Sequence, residues 1–494
     1  MKKIIFATIL MFSFAGISNA QLATDILKYS FTDYTGTARS LGTANSMSAL
    51  GGDYTAVGLN PAGLATFKFS EFSFGTGLNI NRTNALLTNG AENLSFDDSA
   101  TPVSINHAHY VVADYDRTKS GWRGVAFGLG FNRLADFNQR FNYRGLSAGT
   151  ITDRFTSQAD GFIADDLNSF EEGLAYEVGA IFPSGDDETF YLNDFEDGDF
   201  VDKRQTVRTK GSLNEFSISL AGNYEDKLFI GGNLNFHFLN YNERKVYSET
   251  NEVLQNNPIF NDLSFEEELD LTGNGVNLKL GFIYMPVYNV RIGGAIQTPT
   301  SMGMEESYET SLRYSYNYDG TVNDNTALSP EGFFTYRVIS PFKANLGAAF
   351  IHKKVGFLSF SAEYLDYGTS SFDFDNTLDQ ADLLYEDELN TTIRNNFSKA
   401  WNLKAGGEIR LDDLRFRFGA GYLASPFGGN NVNRTHFNGG IGIFSGATFV
   451  DLGAEYSIYS EEFVPYAVSN DYQQSVDLVQ NNLRIALTLG FKFR

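Results

Sequence analysis

The feature that most constrains this chain is an alternation of apolar with polar or small residues that recurs from Phe69 onward. Alternation with a period of two is the pattern of β-strands that have one apolar and one polar face. The segments that follow it best are 72–80, 125–131, 228–238, 276–284, 401–411, 414–422, 448–458 and 483–493. The chain is therefore predicted to be all-β from this point to its end.

A soluble β-sandwich would alternate in the same way, so segment length and the polar faces have to decide. The segments run for about 10 to 13 residues, whereas strands of globular sheets average ~5–6 and tilted bilayer-crossing strands need ~9–11. The polar faces carry charges, such as Arg415, Arg417 and Arg484, which a dry core would not tolerate but a water-filled or plugged lumen would. Because an open edge would leave unpaired amides in lipid, we predict that residues 69–494 form a closed antiparallel transmembrane β-barrel of about 14 strands.

The first twenty residues have the layout of a secretory signal peptide. Lys2 and Lys3 give a positively charged start, 4–17 form a short apolar run, and 18–20 supply the small residues of a cleavage site. An uncleaved anchor is the weaker interpretation, because the run is short for a transmembrane helix. We therefore expect an exported protein, and its lack of cysteine means that no disulfide stabilises the fold.

The charge of the chain excludes some partners. Its 60 acidic and 37 basic residues give a formal net charge of −23, and phosphate binding requires a basic surface, so no nucleic-acid partner is expected. The stretch 160–202 holds fourteen carboxylates and no Lys or Arg, but its DFEDGDFVD segment places Gly198 where a calcium loop needs an oxygen ligand. We interpret the stretch as a solvated extracellular loop, and we predict no metal and no cofactor. A second polar segment, 307–325, is either a strand end at an aromatic belt or a loop.

Residues 21–68 lack the alternation and are predicted to form a separate plug. The part from 37 to 53 is rich in Ala, Ser, Gly and Leu, which suits short helices that pack closely. Asp53 can cap a helical turn that begins at Tyr54. Asn60 precedes Pro61, and Asn is a good N-cap while Pro is favoured at the first helical position. Such a group of short helices cannot be a barrel strand, but it has the right size to lie inside a barrel as a plug.

The sequence GTARSLGTANSMSALGGDYTAVGLNPAGLATF resembles the start of the FadL/TodX family of outer-membrane transporters for hydrophobic compounds. The family signature is a Gly- and Ala-rich hatch with an acidic residue a few positions ahead of Asn-Pro-Ala, which matches Asp53 and Asn60, Pro61 and Ala62, with Gly63 following. Later segments such as GGAIQTPTSM, LSFSAEYLDYG and AGGEIRLDDLRFRFGAGYLASPF also fit. The resemblance covers essentially the whole chain after the signal peptide.

The resemblance implies a mechanism. A long-chain fatty acid or aromatic hydrocarbon would be captured outside the cell and passed to a site between hatch and wall. It would then leave sideways through an opening in the third strand. The protein would act as a monomer in the outer membrane of a Gram-negative bacterium, in contact with lipid and lipopolysaccharide, and the hatch residues Asp53, Asn60, Pro61, Ala62 and Gly63 would serve in gating.

Our candidate for the third strand is Arg123–Leu134. Its lumen-facing side carries Gly124, Gly128 and Gly130, and glycine weakens a strand ladder and tolerates a kink. These glycines are therefore candidates for the lateral opening. The alternative is that they only make room for the hatch, and both interpretations stay open.

Three rival functions are weighed against transport. An enzyme is disfavoured because no Gly-x-Ser-x-Gly or His-Glu-x-x-His motif occurs, and the histidines, among them His107, His109 and His237, are scattered. An adaptor for protein export would use the long acidic loops as its binding surface. A general diffusion porin is disfavoured by the plug.

Overall fold

The computed structural model describes residues 26–30, 34–88, 90, 93–185, 187–252, 255–374, 380–427, 433–468 and 472–493. The predicted signal peptide, residues 1–20, lies outside this part of the chain. The strands are β1 (Ser70–Leu87), β2 (Phe96–Ala100), β3 (Val103–Tyr115), β4 (Trp122–Asp136), β5 (Gln139–Ala148), β6 (Phe182–Ser184), β7 (Asp187–Leu192), β8 (Phe200–Tyr224), β9 (Leu228–Thr250), β10 (Phe260–Val287), β11 (Val290–Gln297), β12 (Ser301–Tyr318), β13 (Thr321–Leu328), β14 (Gly332–Ile339), β15 (Lys343–His352), β16 (Gly356–Asp366), β17 (Ser371–Asp373), β18 (Lys399–Leu411), β19 (Leu414–Leu423), β20 (Arg434–Ser445), β21 (Thr448–Phe463) and β22 (Val476–Phe493).

Helices are short and few beside these strands. The α-helices are α1 (Ala38–Gly42), α2 (Tyr54–Leu59), α3 (Ile151–Ala159), α4 (Glu172–Val178) and α5 (Gln380–Asn396), and residues 26–30 are also helical. Single 3₁₀ turns cover Pro61–Thr66, Ala164–Asp166 and Tyr367–Thr369. Within the described residues, none of the helices combines the length and the apolar character that crossing a bilayer requires.

The strands form a closed antiparallel barrel of fourteen strands, which confirms the predicted fold class. Successive strands pair in chain order, and the first closes on the last from Ser70↔Phe493 to Leu87↔Val476. Some barrel strands are made of consecutive segments: β2 and β3 form the second, β4 and β5 the third, β11 and β12 the seventh, β13 to β15 the eighth, and β16 and β17 the ninth. Among the described residues, β6 and β7 are the strands that pair outside the barrel.

The two ends of the barrel differ. At one end the links are short, as at 225–227, 288–289 and 412–413, and we call this the short-turn end. At the other end, the long-loop end, β8, β9 and β10 run for 25, 23 and 28 residues, against the ~9–11 that a bilayer crossing needs. Their surplus length projects beyond the membrane.

The outer face of the barrel is an apolar belt. Exposed apolar side chains occur on strand after strand, such as Val125, Phe127, Leu220, Ile230, Leu278, Leu280, Ile292, Leu346, Phe360, Leu403, Phe418, Ile441, Leu452 and Leu489. Both tryptophans are exposed beside other rings: Trp122 lies 5.6 Å from Tyr224 and Trp401 lies 5.1 Å from Tyr364 between ring centroids. Exposed apolar side chains on this scale need lipid, and a closed antiparallel barrel with such a belt is the architecture of an outer-membrane protein.

The acidic stretch 160–202 is not a plain loop. It contains α4 and the β6–β7 hairpin. These elements and the preceding helix α3 pack on the projecting strands around a separate hydrophobic core that includes Phe155, Leu174, Phe260 and Tyr314. Residues 307–325 fall in β12 and β13, which form a hairpin of this lobe. The barrel thus carries a folded lobe at its long-loop end.

Candidate functional site

Residues 34–67 fold into short helices whose side chains are almost all buried against the inner wall of the barrel; with 26–30 and Lys68 we call them the hatch. Thr37 caps α1 by accepting a hydrogen bond from Ser40 N, and Asp53 caps α2 by accepting one from Thr55 N. The predicted cap at Asp53 is confirmed. Thr37 Oγ1 also donates to Asp53 Oδ2 at 2.7 Å, so this carboxylate fixes the position of one hatch helix relative to the other.

The turn that contains Asn60 ties three pieces of backbone together. Asn60 Oδ1 accepts a hydrogen bond from Ala62 N at 3.1 Å, and Pro61 is the first residue of the 3₁₀ turn, which confirms the predicted cap. The side-chain amide donates to Ser48 O at 2.7 Å and to Phe282 O at 3.0 Å. Because Phe282 belongs to β10, one side chain joins two parts of the hatch to the wall.

A belt of inward-facing glycines lets the hatch backbone approach the wall. At each of these positions a β-carbon would come within 3.0 Å of a hatch atom: Gly128, Gly130, Gly231, Gly281, Gly293, Gly347, Gly406, Gly419 and Gly453. Gly281, for example, faces the side chain of Asn60. Within the hatch, Gly63 packs against the loop before α2, where a β-carbon would be 3.3 Å from Gly51 Cα. The close packing of the hatch against the wall therefore depends on glycine, which has no β-carbon.

Arg39 makes an ionic contact between hatch and wall. Its Nε lies 3.3 Å from Glu408 Oε2, and its Nη1 donates to Gly52 O at 2.7 Å. Glu408 also pairs with Arg417 at 2.8 Å, and Arg417 with Asp451 at 2.6 Å. Burial lowers the pKa of Arg39, but Glu408 and the neighbouring carboxylates raise it by more, so it stays above its ordinary value. A charged hatch residue is thus held by a network in the wall.

Tyr54 fills the space beside the third barrel strand. Its hydroxyl lies 3.0 Å from Ser217 Oγ, and its ring stacks on His109 with 4.8 Å between centroids. Burial raises the pKa of Tyr54 to about 12, so the phenol keeps its proton. The lumen-facing Gly128 and Gly130 lie directly against this ring, which matches the interpretation that these glycines make room for the hatch.

His107 and His109 lie beneath the hatch in a buried hydrogen-bonded chain. Ser73 Oγ is 3.1 Å from His107 Nε2 and 3.2 Å from His109 Nδ1, and His109 Nε2 is 3.3 Å from Glu71 Oε1. His107 Nδ1 lies 3.1 Å from Gly36 O of the hatch. The hatch covers these groups, and the contact of His107 with Gly36 helps to hold the hatch against the wall.

The third barrel strand has one irregularity next to Gly124 and a second one beyond Gly130. From Gly124 to Asn132 it pairs with β3 on one side and with β8 on the other. A bulge at Leu134 then shifts its register against β8, and residues 137–138 separate β4 from β5. A bulge at Arg123, next to Gly124, also shifts the register against β8, whereas Gly128 and Gly130 lie in the regular part of the strand. The longer interruption lies at 133–138, beyond all three glycines.

The wall next to this irregularity has no backbone ladder. The β3–β4 ladder stops at His107↔Asn132, and within 93–148, all of it described, no pairing joins 96–106 to 133–148. Side chains bridge the gap instead: Asp98 accepts hydrogen bonds from Arg140 at 3.0 Å and from Asn142 at 3.1 Å. On the inside, Thr35 of the hatch donates to the carbonyl of Arg133 at 3.1 Å. The hatch thus contacts the edge of the gap.

A cluster of packed apolar side chains, which we call the apolar chamber, fills the barrel on the long-loop side of the hatch. Its buried members come from residues 26–30, from α2, from the barrel strands and from α5, and include Ile26, Tyr29, Leu59, Leu213, Leu239, Leu271, Met302, Met304, Tyr336, Phe372, Leu389 and Ile393. Leu134 belongs to the same cluster, and Ala135 and Phe137 pack against it. The chamber therefore extends without interruption from the hatch to the gap beside the third strand.

Comparison with solved structures identifies this architecture. A FadL homologue from Pseudomonas aeruginosa is 13% identical in sequence, the alignment covers 94% of this chain and 100% of that one, and the TM-score is 0.56. The CymD monoaromatic hydrocarbon channel is 14% identical, with 94% and 99% of the chains covered and a TM-score of 0.50. The chain has the FadL-type fold. No family model matches the sequence, and no curated protein matches it either. Neither of the two similar structures is described as an enzyme.

A polar cluster lies where the FadL-type hatch meets the chamber. Lys279 Nζ donates to Tyr34 OH at 2.6 Å and to Gly58 O at 2.8 Å, and it lies 3.2 Å from Glu215, whose side chain is 0% exposed. His237 Nε2 is 3.5 Å from the same carboxylate. A cavity of about 20 Å³ opens beside these groups, enough for about one water molecule. Here too, wall side chains hold the hatch.

Several residues of the FadL-type hatch seat escaped the sequence analysis. Arg39 and Tyr54 lie in the stretch that carries the resemblance but are not part of its Asp and Asn-Pro-Ala signature, and their wall partners Glu408 and Ser217 lie more than a hundred residues away. The glycine belt can be recognised in the sequence, because glycines occupy lumen-facing positions of one strand after another, as Gly281 does in β10. A search for small residues in that phase would have located the level of the hatch.

Proposed function

We propose that this protein carries hydrophobic small molecules, long-chain fatty acids or aromatic hydrocarbons, across the outer membrane of a Gram-negative bacterium. The long-loop end faces outward in this proposal. The molecule is captured in the apolar chamber, the hatch moves, and the molecule leaves sideways into lipid through the gap beside the third strand. The names of the two similar structures, a FadL homologue and a hydrocarbon channel, support transport of this kind.

The observation that carries the proposal is the continuity of the chamber with the gap. Leu134 lies in the apolar cluster and also at the bulge of the third strand. An apolar molecule gains nothing from a water-filled pore, but it keeps favourable contacts along an apolar path that ends in lipid. A gap closed by side chains also opens at less cost than a ladder, because fewer backbone hydrogen bonds have to break.

The hatch is placed to respond to the ligand. Residues 26–30 contribute Ile26 and Tyr29 to the chamber, and Thr35 donates to the carbonyl of Arg133 at the edge of the gap. A ligand that enters the chamber has to displace some of these side chains, since the chamber is packed. Displacement of the hatch would then loosen the contact at Arg133. This is the coupling that we propose for Asp53, Asn60, Pro61, Ala62 and Gly63, which fix the shape of the hatch.

An engineered disulfide that closes the gap reversibly, which we call the lock, tests the proposal. The chain has no cysteine, so the pair Asp98→Cys/Asn142→Cys introduces the only thiols. Oxidation should join the two edges of the gap and abolish cellular uptake of a labelled fatty acid and of toluene, and a reductant should restore it. The matched control is Val112→Cys/Phe127→Cys, which spans the regular β3–β4 ladder and should leave uptake unchanged when oxidised. Undiminished uptake by a fully oxidised lock would refute lateral release.

One observation favours a second function, that of an adaptor in protein export. The β6–β7 hairpin of the lobe has an exposed apolar face made of Phe182, Phe190 and Leu192, with Phe182 paired to Leu192 across the strands. Exposed carboxylates of Asp187 and Glu188 border it. If the protein is an adaptor, it should co-purify with a large export channel, and Phe190→Asp should abolish that association while uptake of hydrophobic compounds stays normal.

A further inference from the structure

A second irregularity of the wall lies at the seventh, eighth and ninth barrel strands. Residues 298–300 separate β11 from β12, residues 340–342 separate β14 from β15, and the 3₁₀ turn Tyr367–Thr369 separates β16 from β17. The three interruptions lie at one level, because pairing resumes in register on both sides of them. The seventh and eighth strands pair at Gln297↔Lys343 and Ser301↔Ile339, and the eighth and ninth pair at Lys343↔Leu365 and Ile339↔Ser371.

Two prolines account for the interruptions in the seventh and eighth strands. Pro299 and Pro341 have no N–H group, and proline is rarely found inside a sheet because it removes a ladder hydrogen bond. What closes the wall here is a small set of bonds: Ser340 N donates to Thr300 O at 2.9 Å, Thr300 N to Ser340 Oγ at 2.9 Å, and Thr298 N to Leu278 O at 3.0 Å. The surface of the wall is therefore indented at this level.

A groove of about 350 Å³ lies on the outer face at this indentation. It is lined by Gly232, Asn233, Leu234, Leu278, Lys279, Leu280, Ile296, Thr298 and Phe342. The side chains of Leu278, Leu280, Ile296 and Phe342 are exposed on the outer face. The groove is deep at Gly232, because this outward-facing residue of β9 has no side chain to fill it. A β-carbon there would already lie 3.2 Å from Leu280. The volume falls within the ~300–1,000 Å³ of small-molecule sites.

We propose that this groove binds one acyl chain of a bilayer lipid from the leaflet at the long-loop end. The groove is continuous with the apolar belt, so lipid chains are the material that reaches it. Its lining side chains are almost entirely aliphatic or aromatic, and it ends at the interruption, beyond which strands β10 and β12 turn outward-facing polar groups such as Asp270 and Glu305 to solvent. A chain seated in it covers a part of the wall where the backbone ladder is interrupted. This inference does not depend on the proposed transport.

Tryptophan quenching by lipids with brominated acyl chains tests the proposal. The groove reporter is Phe342→Trp in a Trp122→Phe/Trp401→Phe background, which removes both native tryptophans. The control reporter is the Trp122→Phe variant, which keeps Trp401. Trp401 is exposed on the outer face and pairs with Tyr364, which pairs with Ala344, so it lies near the same level of the wall but two strands away from the groove. Both are reconstituted in phosphatidylcholine vesicles with increasing fractions of brominated phosphatidylcholine.

The groove reporter should reach half-maximal quenching at about a threefold lower mole fraction of brominated lipid than the control, since a groove site binds more tightly than the surrounding lipid shell. Gly232→Phe, which fills the groove, should bring the two curves together. The folded state of each variant is checked by its heat-dependent migration in a detergent gel. Superimposable curves for the two reporters, or a curve that Gly232→Phe leaves unchanged, would overturn the proposal.

Discussion

The side-chain amide of Asn60 donates a hydrogen bond of 3.0 Å to the main-chain carbonyl of Phe282, and this bond joins the hatch to the sixth barrel strand. The same nitrogen donates to Ser48 O at 2.7 Å, while the side-chain oxygen caps the turn that begins at Pro61. One residue thus shapes the hatch and fixes it to the wall. These two roles use different atoms, so they can be separated by substitution.

Asn60→Ala should lower uptake of a labelled fatty acid without abolishing barrel assembly. The substitution removes a cap worth about 0.5–2 kcal/mol and two hydrogen bonds worth ~0.5–1.5 kcal/mol each, which loosens the hatch but touches no barrel ladder. Asn60→Asp is the matched variant, because it keeps the capping oxygen and loses the donor to Ser48 and Phe282. It should impair uptake about as much as Asn60→Ala. Normal uptake in both variants would contradict a gating role for this turn.

The glycine belt predicts that added side chains will expel the hatch. Gly281→Val places methyl groups where the Asn60 side chain lies, so the hatch should lose its seat while the strand still forms. The expected result is a rise in single-channel ion conductance, because an unplugged barrel conducts water and ions. Gly303→Val is the control: this glycine is exposed on the outer face and has no neighbour within 4 Å of a β-carbon. An unchanged conductance in Gly281→Val would show that the hatch does not seal the barrel.

The barrel itself was predictable because alternation is a local property of a strand. Segment 483–493, for example, lies entirely in β22, and its inward charge Arg484 pairs with Glu455. The caps at Asp53 and Asn60 were predictable for the same reason, since each involves backbone only two residues away. The β12–β13 hairpin also has a local sequence signal: Asp319 and Gly320 form its two-residue turn, both with positive φ, and Asp-Gly favours that turn.

The position of the gap could not be predicted from local patterns. The interruption at 133–138 contains neither glycine nor proline, and it results from the register of β4 and β5 against β8, a strand that follows after a folded lobe. Gly128 and Gly130, which suggested a kink, instead lie against Tyr54. A glycine in a strand has the same appearance whether it permits a kink or a close neighbour, so only the packing partner decides.

Arg39 should control how firmly the hatch is held. In Arg39→Gln the ion pair with Glu408 is lost, although Arg417 still balances that carboxylate, so the barrel should remain intact. Hydrogen exchange in residues 38–59 should become faster than in the unmodified protein, because the substitution removes a largely buried ion pair and the hydrogen bond from Arg39 to Gly52 O. Arg415→Gln is the control, since Arg415 bonds to the carbonyls of Asp412 and Leu414 at the short-turn end. Equal exchange in both variants would exclude an anchoring role for Arg39.

The pair of Lys279 and Glu215 allows a sharper test of how the hatch is anchored. Lys279→Met leaves the buried carboxylate of Glu215 without its 3.2 Å partner, and it also removes the bonds to Tyr34 and Gly58. Loss of one member of a buried pair costs about 3–5 kcal/mol, so the hatch should detach, with faster hydrogen exchange at residues 34–59.

The double variant Lys279→Met/Glu215→Leu separates the two causes of that loss. It removes the unpaired charge but does not restore the bonds that Lys279 makes to Tyr34 and Gly58. If desolvation of Glu215 dominates, as the penalty for an uncompensated buried charge implies, the double variant should recover most of the protection from exchange that the single variant loses. A double variant as unprotected as Lys279→Met would instead assign the anchorage to the hydrogen bonds of the ammonium group with the hatch.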